Sequence, residues 1–396
     1  MHINKRVFKL ALKIICSFTV FLLLISAVLF TQQNVPSTPI DGKILRAIMS
    51  KKTSVILFWN GFFRDSRWTL PVDTLHAKCP NANCIITNQV HYLSSVEDYA
   101  AIIFHTARSF SLLKSRPRQR AAHQFYVFAQ LESPEHTWHN LNAERNFYNL
   151  TMTYRLDSDI VWSYNVMRAK ETEEIVAPRA QVMWRNADTS WTQNNTDLLL
   201  SIGRKKKLAA WFVSNCKVPS RREKLVKQLQ AHLPVDVYGK CGNLSCARFD
   251  NACDELLDTD YKFYFSFENS ICLDYVTEKF YNALRRQIVP VVFGGANYTL
   301  FAPPHSYIDV QDFKNVSSLA NYLKYLDGNP LEYAKYFWWR RYYTVDTFKG
   351  GLQTLPYCEL CQRIQTHPAV RQTQIYEDIN AFWNENICTT KGRIEF

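Results

Sequence analysis

The sequence predicts an α/β fold in which two Rossmann-like domains face one cleft, and three observations carry that prediction. In the second half, the segments LAAWFVSN, SRREKLVKQLQAHL, VDVYG, YKFYFSF, DYVTEKFYNALRRQ and IVPVVFGG alternate between strand-like and helix-like patterns. Such alternation implies βαβ units on a parallel sheet. In the first half, TSVILFWN, CIITNQ, YAAIIFHT and QFYVFAQLES are short apolar or β-branched runs, the pattern of buried strands. The composition, 47% apolar and 14% aromatic with 11 Gly and 15 Pro among 396 residues, suits two packed cores and leaves little for long disorder. Ligands of open α/β sheets sit beyond the carboxyl ends of the strands. Candidate residues are therefore sought there.

Taken in order, Lys5, Arg6, Lys9 and Lys13 precede the uncharged run IICSFTVFLLLISAVLF, Ile14 to Phe30. With a few flanking residues the run reaches bilayer-spanning length, and positive charge ahead of it keeps that end cytoplasmic. We expect residues 1–13 as a cytoplasmic tail, 14–33 as an uncleaved signal anchor and 34–52 as a polar stem. A cleaved signal peptide is the rival, with Ser26 and Ala27 as its small-residue candidates. Residues 53–200 are then expected to form the first Rossmann-like domain, 201–350 the second, and 351–396 a tail containing CxxC. SLANYLKYLDG and PLEYAKYFWWRRYY read as helices crossing back over the first domain.

The net charge of +12 favours anionic partners without choosing among them. Placement across a membrane argues against nucleic acid. Asn149, Asn194, Asn243, Asn297 and Asn315 each begin an Asn-x-Ser/Thr sequon, as expected of a secretory-pathway chain. Of the 11 cysteines, Cys16 lies in the apolar run and the others suit disulfides in an oxidising lumen. Cys79, Cys84, Cys358 and Cys361 have spacing that four zinc-bound thiolates also satisfy. The compartment favours disulfides, with Cys216, Cys241, Cys246, Cys253, Cys272 and Cys388 forming further pairs.

YKFYFSFENSICLDYVTEK, residues 261–279, passes from an aromatic strand into a density of polar groups that a core does not tolerate unpaired. Glu268, Asn269 and Ser270 lie just past the strand, and Asp274 or Thr277 can cap the next helix. On that helix Tyr275 and Lys279 are expected to share a face beside a buried stripe of Val276, Phe280 and Leu284. A cation at a helix start conflicts with the dipole unless an anion binds there. Arg221 and Arg222 of SNCKVPSRREK repeat the conflict, so a diphosphate between Arg222 and Lys279 is physically sensible. Lys205 to Lys207 of GRKKKL read instead as a solvated turn. In QFYVFAQLESPEH, Glu132 follows a strand that Pro134 stops, a position where a carboxylate can act as a general base, with His136 nearby. Asp157-Ser158-Asp159 has the Asp-x-Asp form of metal–diphosphate sites, although a capping or turn role is the commoner use.

FENSICLDYVTEKFYNAL followed by IVPVVFGG resembles the signature of the α1,3-fucosyltransferases, glycosyltransferase family 10. LESPEH, TYRLDSDI, AWFVSN and CELC resemble further blocks of that family in the same order, from about Ser54 to about Cys361. The resemblance implies a type II Golgi membrane enzyme of GT-B architecture, its first domain binding the acceptor and its second GDP-fucose. It implies inverting α1,3 transfer of fucose to N-acetylglucosamine of glycoprotein glycans, with no cofactor and no catalytic metal. By the same resemblance Glu132 is the base, and Lys279 with Arg222 or Arg221 balances the leaving GDP. Asn269, Tyr275 and Glu278 contact the nucleotide diphosphate, ribose or fucose. Tyr238 packs near guanine, Tyr154 borders the cleft, and Cys79 and Cys84 are tied to Cys358 and Cys361. The rival readings are a metal-dependent glycosyltransferase using Asp157 and Asp159, and a catalytically inactive membrane-anchored glycan-binding homologue.

Overall fold

The computed structural model describes residues 53–60, 79, 83–106, 116–136, 141–246, 251–346, 355–366 and 375–389. The expected tail, span and stem lie outside the described residues. Among the described residues no helix is long and apolar enough to cross a membrane.

The first apolar runs form β1 (Ser54–Phe58), β2 (Cys84–Thr87), β3 (Ala101–His105), β4 (Phe125–Gln130), β5 (Leu150–Thr153) and β6 (Ile160–Val161). They make a six-stranded sheet in the order β2-β1-β3-β4-β5-β6, and every pairing in it is parallel. A hairpin of β7 (Met167–Ala169) and β8 (Ile175–Ala177) follows, then α1 (Ser190–Gln193) and α2 (Thr196–Arg204).

The second half runs β9 (Lys207–Phe212), α3 (Arg222–Gln230), β10 (Val235–Tyr238), α4 (Asn251–Thr259) and β11 (Tyr261–Phe267). It continues with β12 (Ile271–Cys272), α5 (Glu278–Leu284), β13 (Val289–Phe293) and β14 (Ile308–Asp309). Here β10-β9-β11-β13-β14 form a five-stranded sheet, again parallel throughout. The near-continuous apolar character of β3, β4 and β13, buried at every position, follows from parallel strands covered on both faces. The α/β expectation and the alternation that suggested it are realised in these two sheets.

Sequence reading and structure part company over the C-terminal third. Helix α6 (Val316–Gly328) and α7 (Pro330–Ala334) do not return to the first sheet. Leu319, Leu323, Leu326, Tyr333 and Ala334 pack into the core of the second sheet. The return is made by later elements, β15 (Tyr343–Val345), α8 (Leu355–Thr366), α9 (Ile379–Asn384) and β16 (Cys388–Thr389). Strand β15 pairs with β7. Tyr357, Leu360 and Ile364 of α8 cover one face of the first sheet, and Ile379 and Trp383 of α9 cover the other. Within the expected tail, residues 355–366 and 375–389 thus supply core to the first domain. At the other boundary, Leu198 and Ile202 of α2 belong to the second core, so that unit begins before residue 201.

The cysteines resolve as Cys79–Cys358, Cys84–Cys361, Cys216–Cys241, Cys246–Cys253 and Cys272–Cys388. Four thiolates for zinc are not available where both CxxC sulfurs are bonded to the early pair. Four sequon asparagines, Asn194, Asn243, Asn297 and Asn315, are exposed. Asn149 is not: it is 1% exposed, and its side-chain oxygen accepts from the Tyr126 amide at 2.8 Å and from Arg120. The folded chain hides this sequon, because the asparagine side chain is bonded to the start of β4.

The solvated-turn reading of GRKKKL also fails at its first lysine. Lys205 is 4% exposed, and its ammonium donates to the carbonyls of Leu257 at 3.0 Å, Asp258 at 2.7 Å and Tyr261 at 2.7 Å. Burial pushes its pKa down to about 8, against a partial upward pull from Asp258 and Asp260. Between that value and the ordinary lysine pKa the unfolded chain binds more protons, so this group's contribution to stability rises with pH across that window and is flat below it. We predict that wild type gains about 1–2 kcal/mol of unfolding free energy over Lys205→Met between about pH 8 and pH 10. Urea unfolding at both pH values measures it, and a pH-independent difference contradicts it.

Candidate functional site

The site grows from the end of β11. This strand is central, pairing with β9 and β13, and its last residue, Phe267, is fully buried. The next residue keeps the sheet register: the Glu268 amide donates to the Phe293 carbonyl at 2.9 Å. Its side chain has no exposed surface, and a carboxylate so placed must be bonded. It accepts from the Thr277 amide at 2.9 Å, from the Thr277 hydroxyl and from the Lys279 ammonium at 3.2 Å. Lys279 also donates to Thr277 Oγ1 at 2.7 Å and to Glu278 Oε1 at 3.1 Å. Burial raises the pKa of Glu268, with Lys279 opposing. Burial works against the Lys279 charge, but Glu268 and Glu278 outweigh it and hold its pKa above the ordinary lysine value. Lys279 is therefore a fixed cation at the carboxyl edge of the second sheet.

This bonding corrects the expected helix. α5 starts at Glu278, and Thr277 occupies the N-cap position without a side-chain cap bond, its hydroxyl being engaged by Glu268. Asp274 has φ +57, and its carboxylate accepts from the Leu156 amide at 3.1 Å rather than capping α5. Tyr275 therefore precedes the helix and shares no helical face with Lys279. The loop fits over β13 because residue 295 is glycine: a Cβ there would lie 2.7 Å from the Cys272 backbone.

Two arginines open α3. Arg221, at the N-cap with φ 54, is exposed and makes no side-chain cap bond. Arg222 is 4% exposed; it donates to the carbonyls of Phe267 and Asn215 and lies 5.7 Å from the Trp211 ring. Its Nε is buried without a hydrogen-bond partner. Burial lowers its pKa, against the upward pull of Glu268. Ser220 completes the tie, its hydroxyl donating to the Glu268 carbonyl at 2.7 Å. Arg222 and Lys279 thus flank the same strand end. Tyr238 reaches the carboxyl end of β10, but its ring packs on Phe212 at 4.8 Å and its hydroxyl bonds Tyr261 at 2.8 Å. The side chain expected beside a base is turned into the protein.

The opposing wall comes from the first sheet. Gln130 ends β4, and its amide oxygen accepts from the backbone N–H groups of Leu131 at 2.9 Å and Glu132 at 3.0 Å. Its amide nitrogen donates to the Thr106 carbonyl at 3.0 Å. One side chain therefore fixes the backbone that carries Glu132. Three bonds join this loop to the loop after β11: Tyr275 Oη donates to Glu132 Oε2 at 3.0 Å, Ser133 Oγ donates to Ser270 Oγ at 2.7 Å, and Asn269 Nδ2 meets His136 Nε2 at 2.9 Å. Asn269 Oδ1 and His136 Nδ1 are buried without hydrogen-bond partners. Tyr154 is 1% exposed, with its ring 4.9 Å from Tyr275 and its hydroxyl unpartnered.

Asp157 and Asp159 are engaged elsewhere. Asp157 accepts from Arg155 at 2.9 Å. Asp159 accepts from the Thr151 amide at 2.9 Å, the Tyr376 hydroxyl at 2.8 Å and Arg363 at 3.0 Å. Asp159 braces the edge of the first sheet, and Asp157 pairs with Arg155 in the turn before β6. Among the described residues, Glu135, Cys272 and Cys388 have metal-ligand spacing, but the two sulfurs are joined in a disulfide.

The structure thus gathers Glu132, His136, Tyr154, Asn269, Tyr275, Glu278, Lys279 and Arg222 around one loop, with Arg221 at its rim. Sequence reasoning missed Gln130, Ser133, Tyr164, whose hydroxyl donates to the Leu131 carbonyl at 2.6 Å, and the tie from Thr277 to Glu268. A polar residue closing a buried strand was the available signal for Gln130 alone. We predict that Glu268→Ala costs about 2–4 kcal/mol, because it strands a buried ammonium and an amide. Glu278, 55% exposed, should cost less than about 1 kcal/mol on the same truncation. Chemical unfolding of the two variants compares them, and equal losses contradict the assignment.

Against known proteins, residues 51–165 match the profile described as fucosyltransferase, N-terminal, and residues 202–383 match glycosyltransferase family 10 (fucosyltransferase), C-terminal. The chain is 45% identical over 374 residues to alpha-(1,3)-fucosyltransferase C of Drosophila melanogaster, covering 92% of this chain and 85% of that one. It is 34% identical to glycoprotein 3-alpha-L-fucosyltransferase A of the same organism, covering 87% of this chain and 63% of that one. Identity to alpha-(1,3)-fucosyltransferase fut-1 of Caenorhabditis elegans is 32%, covering 90% and 75%. With both halves matched and the first of these relatives nearly half identical, the chain belongs to glycosyltransferase family 10, the fucosyltransferases.

Proposed function

We propose that the chain transfers L-fucose from GDP-fucose, in α1,3 linkage and with inversion, to N-acetylglucosamine of glycoprotein glycans. The observation that carries this reading is that one loop, residues 268–279, bonds a carboxylate of the first sheet and a cation of the second: Tyr275 to Glu132 at 3.0 Å and Glu268 to Lys279 at 3.2 Å. Transfer needs that pair. Glu132 removes the proton of the acceptor hydroxyl as its oxygen attacks the anomeric carbon from the face opposite the phosphate. The bond from that carbon to the phosphate oxygen breaks, and its electrons leave with GDP. Lys279 and Arg222 balance the charge on the departing diphosphate. Glu278 is half exposed beside Lys279, so a phosphate can replace it there while Glu268 stays.

The two parallel sheets support a GT-B assignment, with acceptor on the first and donor on the second. The engagement of Asp157 and Asp159 within the first sheet supports chemistry in which they hold no metal. The five disulfides support an oxidising compartment. With residues 14–33 as signal anchor, the reading is a type II Golgi enzyme with its catalytic part in the lumen.

A GDP-fucose transfer assay on the detergent-solubilised full chain, with an N-glycan acceptor and excess chelator, tests the reading. Turnover should persist with chelator present; loss of activity restored by manganese would overturn the metal-free mechanism. Glu132→Gln should lower turnover by roughly 100-fold or more while GDP still binds, and unchanged turnover would remove Glu132 as base. Lys279→Ala should weaken GDP affinity by roughly 10-fold or more.

A further inference from the structure

We propose that Gln130 is a positioning residue for the base: its carboxamide holds the main chain at the end of β4 so that the Glu132 carboxylate is presented to the acceptor hydroxyl. This rests on the assignment of Glu132 as base. It adds a side chain that neither the motifs nor the family resemblance singled out.

Gln130 closes β4 and is 1% exposed. A carboxamide offers two hydrogens and two acceptor lone pairs, and here all four are engaged. Oε1 accepts from the Leu131 amide at 2.9 Å and the Glu132 amide at 3.0 Å, while Nε2 donates to the Thr106 carbonyl at 3.0 Å and the Thr106 hydroxyl at 3.3 Å. The reversed amide would set an NH2 group against two N–H donors, so the neighbours fix which way it points. Glutamate could not replace it in full, because an ionised carboxylate has no hydrogen for the Thr106 carbonyl.

The grip reaches beyond one strand. Thr106 follows β3, and its amide donates to the Ala129 carbonyl of β4 at 3.4 Å. His105, which ends β3, exchanges two backbone bonds with the Asn60 carboxamide: its amide donates to Oδ1 at 2.9 Å and its carbonyl accepts from Nδ2. Two side-chain amides therefore lace together the carboxyl ends of β1, β3 and β4, which are neighbours in the sheet. The residues on either side of Glu132 are anchored as well. Leu131 packs in the core of the first sheet, and Ser133 Oγ donates to Ser270 Oγ at 2.7 Å. Loss of the Gln130 amide frees the two N–H groups at the point where the chain leaves the sheet, and a shift of about 1 Å there is enough to cost a base roughly 100-fold in rate.

Gln130→Leu keeps an apolar filling and removes all four bonds. In the full chain, kcat should fall roughly 10- to 100-fold, while the KM for GDP-fucose and the affinity for GDP stay within about twofold. Gln130→Asn retains one bond, because asparagine accepts from the amide two residues on. Its kcat should stay within about fivefold of wild type, again with unaltered GDP affinity. In a Glu132→Gln background, where no base remains to be placed, Gln130→Leu should add less than about twofold. An unchanged kcat in Gln130→Leu, an asparagine variant as impaired as the leucine one, weakened donor binding, or a full additional loss in the Glu132→Gln background each overturns the proposal. Should the leucine variant fail to fold by urea titration, an asparagine variant that binds GDP as wild type but has lost more than about tenfold in kcat, or nothing at all, also contradicts it. The two assignments fail separately: wild-type turnover in Glu132→Gln removes the base itself, whereas its loss beside an unaltered Gln130→Leu enzyme refutes the positioning role alone.

Discussion

Glu268 carries a negative charge where no water reaches, and the end of β11 is arranged around that fact. The nearest means of compensating it are the Thr277 amide, the Thr277 hydroxyl and the Lys279 ammonium. To bring them back onto the strand end, the chain must travel out and return within nine residues. α5 cannot begin before the return is complete, so it starts at Glu278. The intervening residues are left to reach the first sheet, which they do through Ser270, Asn269 and Tyr275. A single buried charge thus sets both the position of Lys279 and the excursion that touches Glu132.

The excursion holds its shape because other elements meet it. β16 pairs with β12 and bonds its Cys388 to Cys272. α9, just before β16, presses Trp383 onto Phe128 and Tyr154, at 5.3 Å and 5.6 Å. The C-terminal segment therefore covers the first sheet and staples the second sheet's loop in one pass. Packing of α8 on the opposite face, reinforced by Cys84–Cys361, closes the same core from the other side. Two sheets that share no strand are joined through polar contacts at the cleft and apolar contacts behind it.

Elsewhere, polar residues with conspicuous sequence contexts are absorbed by sheet and helix ends. Asn149 supplies an acceptor at the amino end of β4, and Lys205 supplies donors to carbonyls where α4 meets β11. Asp159 closes the β5 and β6 edge. Each satisfies backbone groups that regular structure leaves unpaired at its ends. Nothing in a tripeptide pattern distinguishes such a use from glycosylation, a solvated turn or metal binding.

Much of the molecule was legible in the residues themselves. Apolar runs of strand length give the two parallel sheets, and β11 fell where YKFYFSF ends, because strand burial depends on local pattern and on covering helices that the alternation already implies. The places of Glu132 after β4 and Lys279 after β11 were legible for the same reason, since strand ends are where parallel sheets expose backbone and admit charge. The tertiary structure alone decided which partner each polar group takes. Spacing puts Tyr275 on a helical face with Lys279, four residues on, but the bonds made by Glu268 and Asp274 place the helix start past it. Residues 351–396 read as a tail, yet the apolar faces of α8 and α9 meet the first sheet. The bond from Asp274 to Leu156 and the packing of α8 and α9 join residues more than 100 apart in sequence, and periodicity carries no information at that range.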